Sequence, residues 1–64
     1  MNDKERQARV RELWLERPAE QRTGNGVMAF YGYLEKNHPE LLKRSHGDPY
    51  QQLKTDLRGL ILDL

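Results

Sequence analysis

The chain has 64 residues, of which 11 are basic and 10 acidic, and it contains no cysteine. This length holds one domain of three or four helices, so we expect a single domain over residues 1–64 and no separate catalytic domain. The lack of cysteine excludes disulfides, a thiolate nucleophile and cysteine-ligated metal sites. The formal net charge of +1 is far below that of a strongly electrostatic nucleic-acid binder.

The first helix is predicted from about Asp3 to Arg17, ending before a proline. Its apolar stripe consists of Val10, Leu13 and Trp14 and occupies only the second half. We therefore expect the first two turns to be solvated and to fray.

The second helix follows a linker, residues 18–26, that is rich in turn-forming residues. The helix is predicted to begin near Thr23 to Asn25 and to reach about Asn37. Its apolar residues repeat at i, i+3, i+4 and i+7, at Val27, Phe30, Tyr31 and Leu34.

After Pro39, a short helical turn is predicted as far as Arg44, returning Leu41 and Leu42 to the core. The last helix is predicted over residues 48–64, because Asp48 is a favourable N-cap and a proline occupies the first helical position. Its apolar stripe comprises Tyr50, Leu53, Leu57, Leu60, Ile61 and Leu64.

Three apolar stripes predict an all-α fold, a compact three-helix core with a short extra helical turn between the second and third long helices. We expect the side chains at its centre to be Trp14, Phe30, Tyr31, Leu53 and Leu57. The N-terminal residues lack an apolar run of signal-peptide length, and the longest unbroken apolar stretch, Leu60 to Leu62, is too short to span a membrane. We therefore expect a cytoplasmic protein with no membrane partner.

Three patterns contain residue types found in active or ligand sites. Ser45, His46 and Asp48 include the types of a hydrolytic triad, but their adjacency favours a turn and a helix cap. His38 and His46 match no zinc spacing. Residues 22–26 precede a helix whose free N–H groups could bind an anion, but a cap and a flexible turn explain them without a ligand. We expect no enzymatic activity, cofactor or metal.

The leading hypothesis is a protein–protein interaction module. Large apolar residues outside or flanking the main stripes can anchor a partner, and these are Leu62, Met28 and Tyr33, with Leu15 in the first helix. The expected polar rim consists of Arg58, Lys54 and Gln51. The apolar C-terminal end also allows a homodimer through the last helix.

The alternative hypothesis is nucleic-acid binding by a helix-turn-helix-like C-terminal half. Residues 39–44 would form the first helix and residues 48–58 the recognition helix. The candidate contacts are Lys43, Arg44, Gln51, Lys54, Thr55 and Arg58. The register argues against a standard motif, since Lys43 takes the place of a small residue, and Asp48 and Asp56 add negative charge to the supposed recognition helix.

Overall fold

The computed structural model describes residues 2–42 and 48–63. Within these ranges it contains three α-helices, α1 (Asp3–Leu15), α2 (Gly24–Asn37) and α3 (Pro49–Asp56), and no strand. Two short 3₁₀ helices accompany them, at Ala19–Gln21 before α2 and at Pro39–Leu41 before α3. The predicted all-α fold, with its short extra turn between the second and third long helices, is confirmed.

Each of the three helices begins at a polar cap. The Asn2 side chain accepts a 2.8 Å hydrogen bond from the Glu5 N–H, and Thr23 accepts one from the Gly26 N–H. Asp48 accepts a 2.9 Å hydrogen bond from the Tyr50 N–H, as its predicted role at the start of α3 requires. These bonds satisfy N–H groups that have no partner inside the helix.

The predicted helix over residues 48–64 is wrong beyond Asp56. Gly59, three residues later, has a φ of +86°, a conformation that a right-handed helix does not include and that glycine adopts without a steric penalty. Residues 57–63, which we call the C-terminal segment, follow α3 as turns, with a hydrogen bond from the Leu60 N–H to the Leu57 carbonyl. Leu57 and Ile61 are nevertheless buried. The apolar spacing therefore correctly indicates which residues are buried here, although these residues do not form a helix.

The core contains most of the residues predicted for it. Trp14 and Phe30 are fully buried and meet edge to face, with ring centroids 5.2 Å apart. Leu53 and Leu57 are also buried, as are Leu41 and Leu42 after α2. Tyr31 is the exception, because it lies at the edge of the core, partly buried, with its ring 5.7 Å from that of Tyr50.

The N-terminal half of α1 joins the core through a buried ion pair, so the predicted solvated first turns are wrong at Arg6. Its guanidinium donates to both carboxylate oxygens of Asp56, at 2.7 and 3.1 Å, and to the Leu41 carbonyl at 3.0 Å. Gln52 donates a further bond to Asp56. The hydrogen bonds with Asp56 raise the pKa of Arg6 above its ordinary value, outweighing the opposite effect of burial. The pair fixes α1 against α3.

The helix boundaries otherwise differ little from the predictions. α1 ends at Leu15, two residues before Arg17, and α2 begins at Gly24, inside the predicted range. The linker before α2 packs tightly, because a Cβ at Gly26 would overlap the carbonyl group of Gln21. This close approach holds the backbone of Arg22 beside the first turn of α2.

Candidate interaction surface

α1 runs alongside α3 and the C-terminal segment in the same direction. Three contacts occur in the same order along both, the first being the pair between Arg6 and Asp56. Arg11 then donates to the Arg58 carbonyl at 3.3 Å, and the Trp14 indole N–H donates to the Leu60 carbonyl at 3.1 Å. α1 therefore lies beside α3 and the C-terminal segment from Arg6 to Trp14.

The C-terminal segment continues from α1 to the first turn of α2. The Leu62 N–H donates to the Arg22 carbonyl at 2.9 Å, and the Asp63 carboxylate accepts a 2.7 Å bond from the Gly24 N–H. The helix start at residues 22–26, considered above as an anion site, is thus contacted by a carboxylate of the same chain. The negative charge of Asp63 also suits the positive end of the helix dipole.

Three large apolar side chains with more than half of their area exposed belong to the C-terminal segment or to the two helices that it contacts. Leu62 belongs to the segment and is 60% exposed. Leu15 is 51% exposed and lies one turn beyond Arg11 on the same side of α1, because residues four apart are neighbours on a helix. Met28 is 69% exposed and is related in the same way to Gly24 on α2. We call Leu15, Met28 and Leu62 the apolar patch.

Tyr33 does not belong to this patch. Five residues at about 100° each place it about 140° around α2 from Met28. Its ring instead stacks on Phe30 at 6.2 Å and lies 5.7 Å from the ring of His38. The Arg17 guanidinium is 5.9 Å from the Tyr33 ring, within the range of a cation–π contact. Met28 and Tyr33 therefore lie on different sides of α2, and the role of each as a partner contact stays a prediction.

The outward face of α3 and the start of the C-terminal segment carry the predicted polar residues. Gln51, Lys54, Thr55 and Arg58 are all exposed. Lys54 lies 5.7 Å from the Tyr50 ring, and Thr55 donates to the Gln51 carbonyl at 3.1 Å. Leu62 is separate from these residues and lies beside Arg22, because α3 ends at Asp56.

Arg11 and Arg58, both exposed, meet where α1 contacts the C-terminal segment, because Arg11 donates to the Arg58 carbonyl. Lys4 and Arg11 are seven residues apart, so they share one side of α1, and both are exposed. The exposed acids of α1, Asp3, Glu5 and Glu12, lie about 80–120° around the helix from these two residues.

Asp56 does not face outward with these residues. Its side chain is 1% exposed and is paired with Arg6, so its charge is both buried and compensated. The objection that Asp56 places negative charge on the exposed face of α3 is therefore removed. Asp48 is exposed and caps the helix through the Tyr50 N–H.

Several sequence-based candidates fall outside the described residues, namely Lys43, Arg44, Ser45, His46 and Leu64. The 3₁₀ helix that begins at Pro39 ends at Leu41, and the backbone of Leu42 is extended. The described part of the first helix expected for a helix-turn-helix, residues 39–42, is therefore a single 3₁₀ turn. In the described part of the chain, no three histidine or acidic side chains are grouped as metal ligands, and no helix is long and apolar enough to cross a membrane.

Comparisons with protein-family models, with curated proteins and with solved structures found no match for this chain.

Proposed function

We propose that this chain is a non-enzymatic, cytoplasmic helical domain that binds another protein through the apolar patch. The observation that supports this is the exposure of Leu15, Met28 and Leu62, each by more than half, on the C-terminal segment and on the two helices that it contacts. Burying an exposed leucine or methionine side chain contributes about 1.5–3 kcal/mol. The polar rim consists of Gln51, Lys54 and Arg58.

The patch is held in place by the backbone and by the core. Leu62 is positioned by its bond to the Arg22 carbonyl, and its neighbour Ile61 is buried. A partner therefore meets a surface that is already ordered, which lowers the entropy cost of association.

The decisive experiment combines crosslinking with a surface variant. A photo-crosslinking amino acid at position 62 or 28, introduced in the producing organism, captures the bound protein, and Glu5 on the other side of α1 provides the control position. With the crosslinker at position 28, Leu62→Asp removes the captured species while the circular dichroism melting curve stays that of the parent, because the Leu62 side chain is 60% exposed. The proposal fails if positions 62 and 5 give the same crosslinks, or if Leu62→Asp keeps every crosslink made from position 28.

The captured protein can also be a second copy of the chain. The continuous helix considered for a homodimer is absent, because α3 ends at Asp56, so a symmetric contact would use the apolar patch. Sedimentation velocity over a range of concentrations separates the two cases: a dimer that Leu62→Asp abolishes identifies the partner as this chain.

Nucleic-acid binding is the second candidate. The observation that favours it is that Gln51, Lys54, Thr55 and Arg58 are all exposed, while the Asp56 carboxylate is buried and paired with Arg6. An amide NMR titration with mixed-sequence duplex DNA at low and moderate salt tests it. This candidate expects shifts centred on residues 51–58 that weaken strongly with salt, because bound phosphates release counterions. Shifts that ignore salt, or no shifts at all, reject it.

A further inference from the structure

We propose that residues 60–63 form a strap that opens and closes as one unit while the three helices stay folded, with the Asp63 carboxylate as its latch. When the strap is closed, Leu62 lies beside Arg22 and Ile61 lies in the core. When the strap opens, both side chains leave these positions. The strap therefore regulates where Leu62, a proposed partner contact, is held, and this consequence alone rests on the proposed function.

Three hydrogen bonds join the strap to α1 and to the start of α2 in the described part of the chain. The Leu60 carbonyl accepts the first, from the Trp14 indole N–H at 3.1 Å. Leu62 and Asp63 make the other two, at 2.9 and 2.7 Å, with backbone groups at the start of α2. Ile61, between these residues, is buried. Because the bonded residues are neighbours in the chain, we expect the three bonds to break together.

The contacts between the helices lie outside the strap. The ion pair of Arg6 with Asp56 fixes α3 to α1, and both residues precede the strap. Opening removes Ile61 and the partly buried Leu60 from the core, whose other buried apolar side chains in the described ranges all belong to residues 10–57. A local opening of this kind requires less free energy than global unfolding.

Gly59 provides the hinge. It is exposed, and a Cβ at this position would meet no atom within 4 Å, so a rotation there breaks no packing contact of its own. Its φ of +86° belongs to the part of backbone space that is open to glycine. The bond from Arg11 to the Arg58 carbonyl precedes the hinge and stays closed. The boundary between fixed chain and strap therefore lies between Arg58 and Leu60.

Asp63 acts as the latch through the first turn of α2. The Thr23 side chain accepts from the Gly26 N–H, whereas the Asp63 carboxylate accepts from the Gly24 N–H. A negative charge at this end of a helix is stabilising because it complements the helix dipole. Asp63 is exposed, so removing its carboxylate loosens the strap without leaving a cavity in the core.

Native-state hydrogen exchange of the full chain, read by NMR, tests the strap. Each of its three bonds has one reporter, the Trp14 indole N–H and the amides of Leu62 and Gly24. We expect the three to share one protection factor, at least about tenfold below that of the Phe30 amide inside α2. Low concentrations of urea should change the three only slightly, because opening exposes little surface.

Matched capping variants locate the latch. Asp63→Ala should lower the protection of all three reporters by one common factor, about fivefold, as the loss of a helix cap does. Asp63→Asn keeps an oxygen acceptor and should lower it less. Asp48→Ala removes the equivalent carboxylate from α3, which stays folded whether the strap is open or closed. It should lower the protection of the Phe30 amide but change the three reporters by less than about twofold.

Three results would overturn the strap. These are unequal protection of the three reporters in the parent chain, a loss confined to the Gly24 amide in Asp63→Ala, and reporters that follow the Phe30 amide in Asp48→Ala. The crosslinks from positions 28 and 62 test partner binding separately. If they fail while the reporters behave as expected, the strap stands and the proposed function does not.

Discussion

Arg6 and Asp56 form the buried charge pair that joins the start of α1 to the end of α3. Asp56 accepts two hydrogen bonds from Arg6 and one from Gln52, and Arg6 also contacts the Leu41 carbonyl. Both ions have given up most of their hydration, so each depends on the other for compensation. Loss of one partner is therefore more damaging than loss of both.

Asp56→Ala should lower the free energy of unfolding by about 3–5 kcal/mol, because it leaves the Arg6 guanidinium buried without a counter-ion. Arg6→Met combined with Asp56→Leu removes both charges and keeps the volume filled, so we expect it to be considerably more stable than Asp56→Ala. Urea denaturation followed by tryptophan fluorescence measures both. A double variant as unstable as the single one would contradict this account of the pair.

No periodicity in the sequence predicts this ion pair. Arg6 occupies a helical turn with few apolar neighbours, and Asp56 is fifty residues away. Hydrophobic spacing identifies which side of a helix is buried, but it does not say which charged residue has a partner there. The pair is visible only once α1 and α3 lie side by side.

At the scale of the element, the end of α3 shows where apolar spacing fails as a guide to helix length. Leu57 and Ile61 keep helical spacing and are buried, yet α3 ends at Asp56 and turns carry both residues inward. Gly59, three residues past Asp56, has a positive φ that prevents the chain from continuing as a right-handed helix. The apolar spacing on both sides of this glycine led to the prediction of a longer helix.

A matched pair of glycine substitutions isolates this conformational effect. A Cβ at Gly59 or at Gly32 meets no atom within 4 Å, so neither substitution causes a clash. Gly59→Ala should cost about 1 kcal/mol because φ is +86° there, whereas Gly32→Ala, inside α2, should stabilise by about 0.5–1 kcal/mol. Thermal and urea unfolding give both values, and effects of the same sign would refute the positive-φ explanation.

At the scale of the whole molecule, the sequence indicates the members of the candidate surface but not how they are grouped. Positions outside the apolar stripes correctly predict that Met28 and Leu62 are exposed. Their grouping depends on contacts between distant residues, such as Leu62 with Arg22, which no local pattern contains. Tyr33 shows the converse, since its packing against Arg17 and His38 removes it from the patch.

Trp14 connects the core to this surface. Its ring packs against Phe30, and its indole N–H holds the Leu60 carbonyl two residues before Leu62. Trp14→Phe keeps an aromatic ring in the core but removes the donor, leaving a partly buried carbonyl without this bond. The C-terminal segment should therefore open more often than the helices do.

Hydrogen exchange at the Leu62 amide, which binds the Arg22 carbonyl, measures that opening. We expect Trp14→Phe to lower the protection of this amide by more than the variant's loss in global stability accounts for. Val10→Ala, another buried change in α1, serves as the control and should lower protection only in proportion to its global destabilisation. If the protection of the Leu62 amide falls only in proportion to global stability in both variants, the indole hydrogen bond does not hold the C-terminal segment in place. If only Trp14→Phe lowers the protection by more than that, the hydrogen bond from the Trp14 indole to the Leu60 carbonyl keeps Leu62 in position for a partner.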